Sequence, residues 1–156
     1  MPIINYLHTA IISGYFDRER WQLWADEIIM MCNEPVLWLF DISVAGSVGE
    51  ACQAIAYLRN NEKFTKESYY YEPNVVIGYY YLLYKEKRIN MRELYMKLSD
   101  EDDIASESEL ITSPEMKTLL NEMKNGKLNA DRMEKLLYPL EQIARQQLDI
   151  LVHWNG

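Results

Sequence analysis

Apolar residues recur along this chain at three- and four-residue intervals, interrupted by Gly, Pro and Asn, and that rhythm predicts a succession of helices. Residues 3–14 read as an apolar first helix that stops at Gly14. Asp17 is placed to cap a second, in which Trp21, Trp24, Ile28 and Met31 repeat with helical spacing. Asn33-Glu34-Pro35 breaks that helix and starts a third, with Pro35 in an early position where its missing N–H does no harm. Ala45-Gly46 ends the third. Ser47-Val48-Gly49-Glu50 is a capping box, in which hydroxyl and carboxylate each satisfy an orphan backbone N–H. The fourth helix then runs through Cys52, Ile55, Ala56 and Leu58 to Asn60-Asn61.

The pattern changes after Asn61. Residues 62–72 form a connector of high β-propensity, long enough for one short strand. Pro73 or Asn74 opens a helix to about residue 87, and Asn90-Met91-Arg92-Glu93 is a second capping box. Residues 99–115 hold seven carboxylates and no basic side chain, which gives an exposed loop or a marginal helix. Ser113-Pro114 starts the next helix, and Asn125-Gly126 carries the glycine signature of its end. Asn129 or Asp131 begins the last long segment, which Pro139 is expected to kink or split. The expected fold is all-α: one compact domain over residues 1–156, a bundle of seven or eight helices.

Seven of the twelve tyrosines fall within residues 68–88, where Pro73 divides them into two groups. Tyr79, Tyr80, Tyr81 and Tyr84 share a helix with Val75, Val76, Ile77, Leu82 and Leu83. These residues leave almost no polar face, so that helix is expected to be buried. Gly78 leaves a gap through which a neighbouring helix can approach closely. Tyr69, Tyr70 and Tyr71 sit instead among Lys63, Lys66, Glu67 and Glu72, and cannot all turn inward. Stiff side chains with a polar tip suit a protein interface.

Charge narrows the partner. The net charge is −8, distributed unevenly: residues 1–58 carry two basic and seven acidic side chains, residues 59–97 eight and five, residues 98–156 six and twelve. Phosphate binding needs a dominant basic field, so nucleic acid is disfavoured, and the balance suits a basic protein partner or simply solubility. Asp100, Glu101, Asp102, Asp103, Glu107 and Glu109 concentrate this charge, and form the expected docking surface together with Tyr69 to Tyr71. No apolar run is long enough to span a bilayer, the first residues lack a basic secretory leader, and the two cysteines fit reduced thiols. Those features place the protein in the cytoplasm and off the membrane.

Catalytic motifs are missing from the pattern. Two histidines and two cysteines lie outside any zinc spacing. A calcium loop from Asp100 would need Gly and Glu where Ala105 and Ile111 stand. Ala45-Gly46-Ser47-Val48-Gly49-Glu50 matches neither a Walker loop nor a dinucleotide fingerprint, and a helix cap explains it. Asp41, set in VLWLFDISVA, is a lone carboxylate that serves as an acid or base only if buried, and otherwise bonds a neighbouring group or marks an exposed edge. Cys32 with His8 or His153 is the other catalytic candidate. No cofactor or metal is expected.

A small, acidic, helix-rich chain of this character resembles the immunity proteins of bacterial contact-dependent growth inhibition and related polymorphic toxin systems. The resemblance lies in overall character across the chain. It implies a protein that binds and neutralises a cognate toxin domain, such as a nuclease with a basic cleft, by blocking its active site. The alternative is a helical adaptor or regulatory subunit, and an enzyme using Asp41 or Cys32 stands third.

Overall fold

Short polar side chains start most of the helices. The computed structural model describes residues 2–61 and 72–156. Helix α1 spans Pro2–Ile12 and α2 spans Arg18–Met31, where the Asp17 carboxylate accepts the Arg20 N–H at 3.0 Å. Helix α3 is Leu37–Val44 and α4 is Val48–Asn61. At α4 the Ser47 hydroxyl accepts the Glu50 N–H at 3.2 Å, and Glu50 reaches back to the Gly46 N–H at 2.6 Å. The box therefore closes one residue earlier than its usual form.

Helix α5 covers Pro73–Lys85, with Pro73 in its first turn, and α6 covers Met91–Ser99 behind an Asn90 cap. Two short 3₁₀ helices follow, Ile104–Glu107 and Glu109–Thr112, then α7 at Pro114–Lys124 and α8 at Ala130–Val152. The described residues thus contain eight α-helices and no strand, and the fold class is all-α. The expected strand falls in 62–71, outside the described residues.

Three boundaries differ from the sequence reading. Pro35 lies ahead of α3, whose cap is Val36 in extended conformation, rather than inside its first turn. Helix α5 ends at Lys85, before Lys87 adopts a left-handed φ of 59°. Pro139 neither ends nor divides α8, which remains a helix of 23 residues. The carbonyl it deprives of a partner belongs to Lys135; both residues are exposed, so that carbonyl is hydrated at little cost.

The chain forms two compact units, one of Met1–Tyr71 with Gln147–Gly156, the other of Glu72–Gln146. In the first unit Trp21, Ile28, Leu39, Ile42 and Ile55 are fully buried. Trp24, Trp38 and Trp154 form a cluster with centroid separations of 5.6 to 6.2 Å. Trp21 and Trp24 donate their indole N–H groups to the Ala45 and Leu151 carbonyls, at 3.1 and 2.8 Å. Both carbonyls lie at or near helix C-termini, where the backbone leaves acceptors without intrahelical partners. The aromatic core and the helix ends stabilise each other through these bonds.

The second unit is organised around α5, in which every residue from Val75 to Leu83 is buried. Gly78 makes this possible on the α8 side. A Cβ placed there would sit 2.2 Å from the Leu140 carbonyl oxygen and 3.1 Å from the Ala144 methyl. The two helix backbones are in contact at that point, and only glycine permits it.

Candidate functional site

The acidic segment takes its shape from its own short polar side chains. Asp100 follows α6, and its carboxylate accepts the Asp102 N–H at 2.9 Å. Asp103 caps the first 3₁₀ helix by accepting the Ala105 N–H at 2.9 Å. Ser108 caps the second through the Leu110 N–H at 3.1 Å and donates its hydroxyl to the Asn74 side chain on α5. Ser113 caps α7 through the Met116 N–H at 3.2 Å. Three caps five residues apart turn an acidic stretch into an ordered series of short turns. Neither an open loop nor an α-helix describes it.

Ordering divides the six predicted carboxylates. Asp103 is held internally, because the buried Tyr80 donates its hydroxyl to both carboxylate oxygens, at 2.9 and 3.1 Å. Burial raises the Tyr80 phenol above its ordinary range, and the neighbouring Asp103 and Asp100 add to the shift, so the phenol stays neutral and donates. Asp103 is therefore an anchor for the turns. Asp100, Glu101, Asp102, Glu107 and Glu109 are exposed. Beside them lies an open hollow of about 580 Å³, whose lining includes Asp100 and Glu101 together with Lys117 and Lys124. The two lysines temper the field of Asp100 and Glu101 within the hollow. Tyr69, Tyr70 and Tyr71 lie outside the described residues.

Three members of the second tyrosine group are core, and Tyr84 is half-buried. Tyr79, Tyr80 and Tyr81 are each at most 3% exposed, which rules them out as a contact surface. Tyr81 donates its hydroxyl to Glu134 on α8 and stacks on Tyr84 with ring centroids 6.3 Å apart. Around it lies a charge network that the sequence reading did not find. Lys85 bonds Glu134 at 2.9 Å and Glu141 at 2.7 Å, and Arg145 donates to Glu141 at 3.0 Å. The Glu141 side chain is only 2% exposed, so two cations flank a buried carboxylate.

Three groups of this network are shifted from their ordinary ranges. The hydrogen bonds from Tyr81 and Lys85 hold Glu134 below the usual carboxylate range, against a smaller effect of burial. Burial works to lower Lys85, but its bonds to Glu141 and Glu134 outweigh it and leave the ammonium above its ordinary range. Burial and the Glu134 bond raise the Tyr81 phenol. All three shifts move away from neutral pH, the opposite of what a general acid or base requires.

The other candidates resolve simply. Asp41 stands on the exposed face of α3, with no hydrogen-bond partner among the described residues. The Cys32 thiol donates to the Asn155 carbonyl at 3.2 Å, and the Gly156 backbone packs against its sulfur. Both thiols are half-buried. His153 bonds the Asp149 carbonyl of its own helix, 2.8 Å away. No group of three or more potential metal ligands occurs among the described residues. None of the described helices is long and apolar enough to cross a membrane.

One further surface departs from expectation. Helix α3 exposes Leu37 and Val44, at 83% and 76%, and α2 exposes Met30 at 84%. The sequence offered a usable signal: α3 has only two polar residues, Asp41 and Ser43, so it cannot be polar wherever it meets solvent. Comparison with protein-family models, with curated proteins and with solved structures finds no match.

Proposed function

We propose that this chain is a non-catalytic binding protein, an immunity protein that neutralises a bacterial toxin domain by covering a basic active site. Nucleases are the toxin class its net charge of −8 suits best. The observation that supports the reading is the acidic segment of the second unit. Its backbone is fixed by three successive caps while Glu101, Asp102, Glu107 and Glu109 face solvent. Carboxylates on a preordered backbone bind cations without the entropy cost of ordering a loop, and they speed encounter with an oppositely charged partner.

The test replaces Glu101, Asp102 and Glu109 with lysine and leaves Asp103 in place, since Asp103 anchors the turns. The parent protein is expected to bind a basic toxin domain tightly, to weaken as salt rises, and to rescue cells that produce the toxin. The triple variant is expected to lose at least about tenfold in affinity, with its helical CD spectrum unchanged. Affinity and rescue that survive the charge reversal would remove the acidic segment as the docking surface.

A further inference from the structure

We infer that the exposed face of α3, with the flanking edges of α2 and α4, is a docking surface for a basic amphipathic helix of another protein. At about 100° per residue, Leu37, Phe40 and Val44 fall within roughly 60° of one another on α3. All three are exposed. On the α2 side, the Ser43 hydroxyl bonds the Asp26 carboxylate, and Leu23 and Met30 share the Asp26 face of α2. Leu23 is 56% exposed and Met30 more so. On the other side an open hollow of about 580 Å³ is lined by Asp41, Val44, Glu50, Ala54 and Tyr57. These side chains form one contiguous three-helix face with a central apolar ridge. Singly scattered apolar side chains need no explanation, but a contiguous stripe does.

Charge decides what covers it. No Lys or Arg occurs between Arg20 and Arg59, while Asp26, Glu27, Glu34, Asp41 and Glu50 all lie in that interval. Asp41 projects from the ridge beside Leu37 and Val44, with no hydrogen-bond partner among the described residues. Arg18 approaches Gly46 and Glu50 at the α4 edge, and an apolar ridge bordered mainly by carboxylates matches a helix that carries large apolar residues on one side and Lys or Arg at the margins. A second copy of the chain fits badly, because a two-fold interface would set the same acidic border against itself. An anionic membrane surface is repelled for the same reason. Met30 and Met31, both largely exposed, give the surface side chains that reshape around a partner. The inference concerns the first unit and does not depend on the role given to the acidic segment of the second.

The test titrates the whole protein with a fluorescently labelled Leu/Lys helical peptide, using a scrambled peptide and a Leu/Glu counterpart as controls. The amphipathic Leu/Lys peptide is expected to bind saturably, and the controls at least about tenfold more weakly. The Leu37→Ser/Val44→Ser variant is expected to lose at least about tenfold in affinity through lost apolar burial. Asp41→Lys is expected to lose about threefold or more and to flatten the salt dependence. Absence of binding, equal binding of the scrambled peptide, or affinity unchanged in both variants overturns the assignment. So does concentration-dependent self-association, or binding to phosphatidylglycerol vesicles, that disappears in the Leu37→Ser/Val44→Ser variant.

Discussion

Helices α3 and α5 are written in nearly the same alphabet and meet opposite fates. LWLFDISV and PNVVIGYYYLLYK both lack a polar face, yet α5 is buried from Val75 to Leu83 while α3 leaves Leu37 and Val44 mostly in solvent. The difference comes from what surrounds each helix. In its unit α5 packs on α6, on the first 3₁₀ helix and, through Gly78, on the backbone of α8. Helix α3 packs on α2 and α4, which cover one side and leave the other bare. An all-apolar helix is a demand for neighbours, and the chain supplies them in the second unit only. A surface left bare within an otherwise well-packed unit is where a partner is to be sought.

Gly78→Ala breaks the contrast most directly. The added methyl meets a backbone carbonyl that cannot rotate away, so α5 must shift from α8. The expected loss is about 3 kcal/mol, beyond the roughly 1 kcal/mol that alanine gains in helix propensity. Chemical denaturation checks this, and an unchanged midpoint would mean that the close approach is not required.

Lys85→Met comes second, at about 2 kcal/mol, because it leaves the buried Glu141 with Arg145 alone. The same network sets a pH signature. Glu134 titrates lower in the folded state, so its contribution holds above the ordinary carboxylate pKa of about 4.3 and is lost as pH falls through the depressed value. Lys85, Tyr80 and Tyr81 titrate higher when folded. Their contributions are complete below about pH 10 and are lost as pH rises through the raised values. Stability from these groups is therefore expected to be level across neutral pH and to fall at both extremes. The alkaline fall should coincide with phenolate absorbance, and in Lys85→Met the acid fall should shrink.

The smallest effect belongs to α3. Leu37→Ser is expected to change stability by no more than about 0.5 kcal/mol, since the side chain has little packing to lose. Thermal unfolding beside Leu39→Ser, a fully buried neighbour, gives the internal standard. A large loss in Leu37→Ser would mean that α3 is covered after all.

The helix boundaries were legible because caps are local. Asp17, Ser47, Asn90 and Ser113 act within three residues of themselves, so the order of residues along the chain is enough to place them. The burial of Tyr79 to Tyr81 was legible too, since no polar face was available to turn outward. The acidic segment was half legible: its charge could be counted, but Asp103 could not be separated from its neighbours without Tyr80 beside it. Of the kink or split expected at Pro139 the split does not occur, because the cost of a helical proline depends on whether the freed carbonyl reaches water. Sequence does not say which way Lys135 faces.

What the amino-acid order determined by itself was the alphabet of helices, their stops, the acidic segment and the close approach at Gly78. What tertiary structure alone decided was which apolar faces found cover, which carboxylates became anchors, and how Lys85, Glu134, Glu141 and Arg145 came together from two helices. Capping and periodicity are short-range and can be read along the chain. Burial and charge pairing depend on distances in space, and sequence separation does not give those.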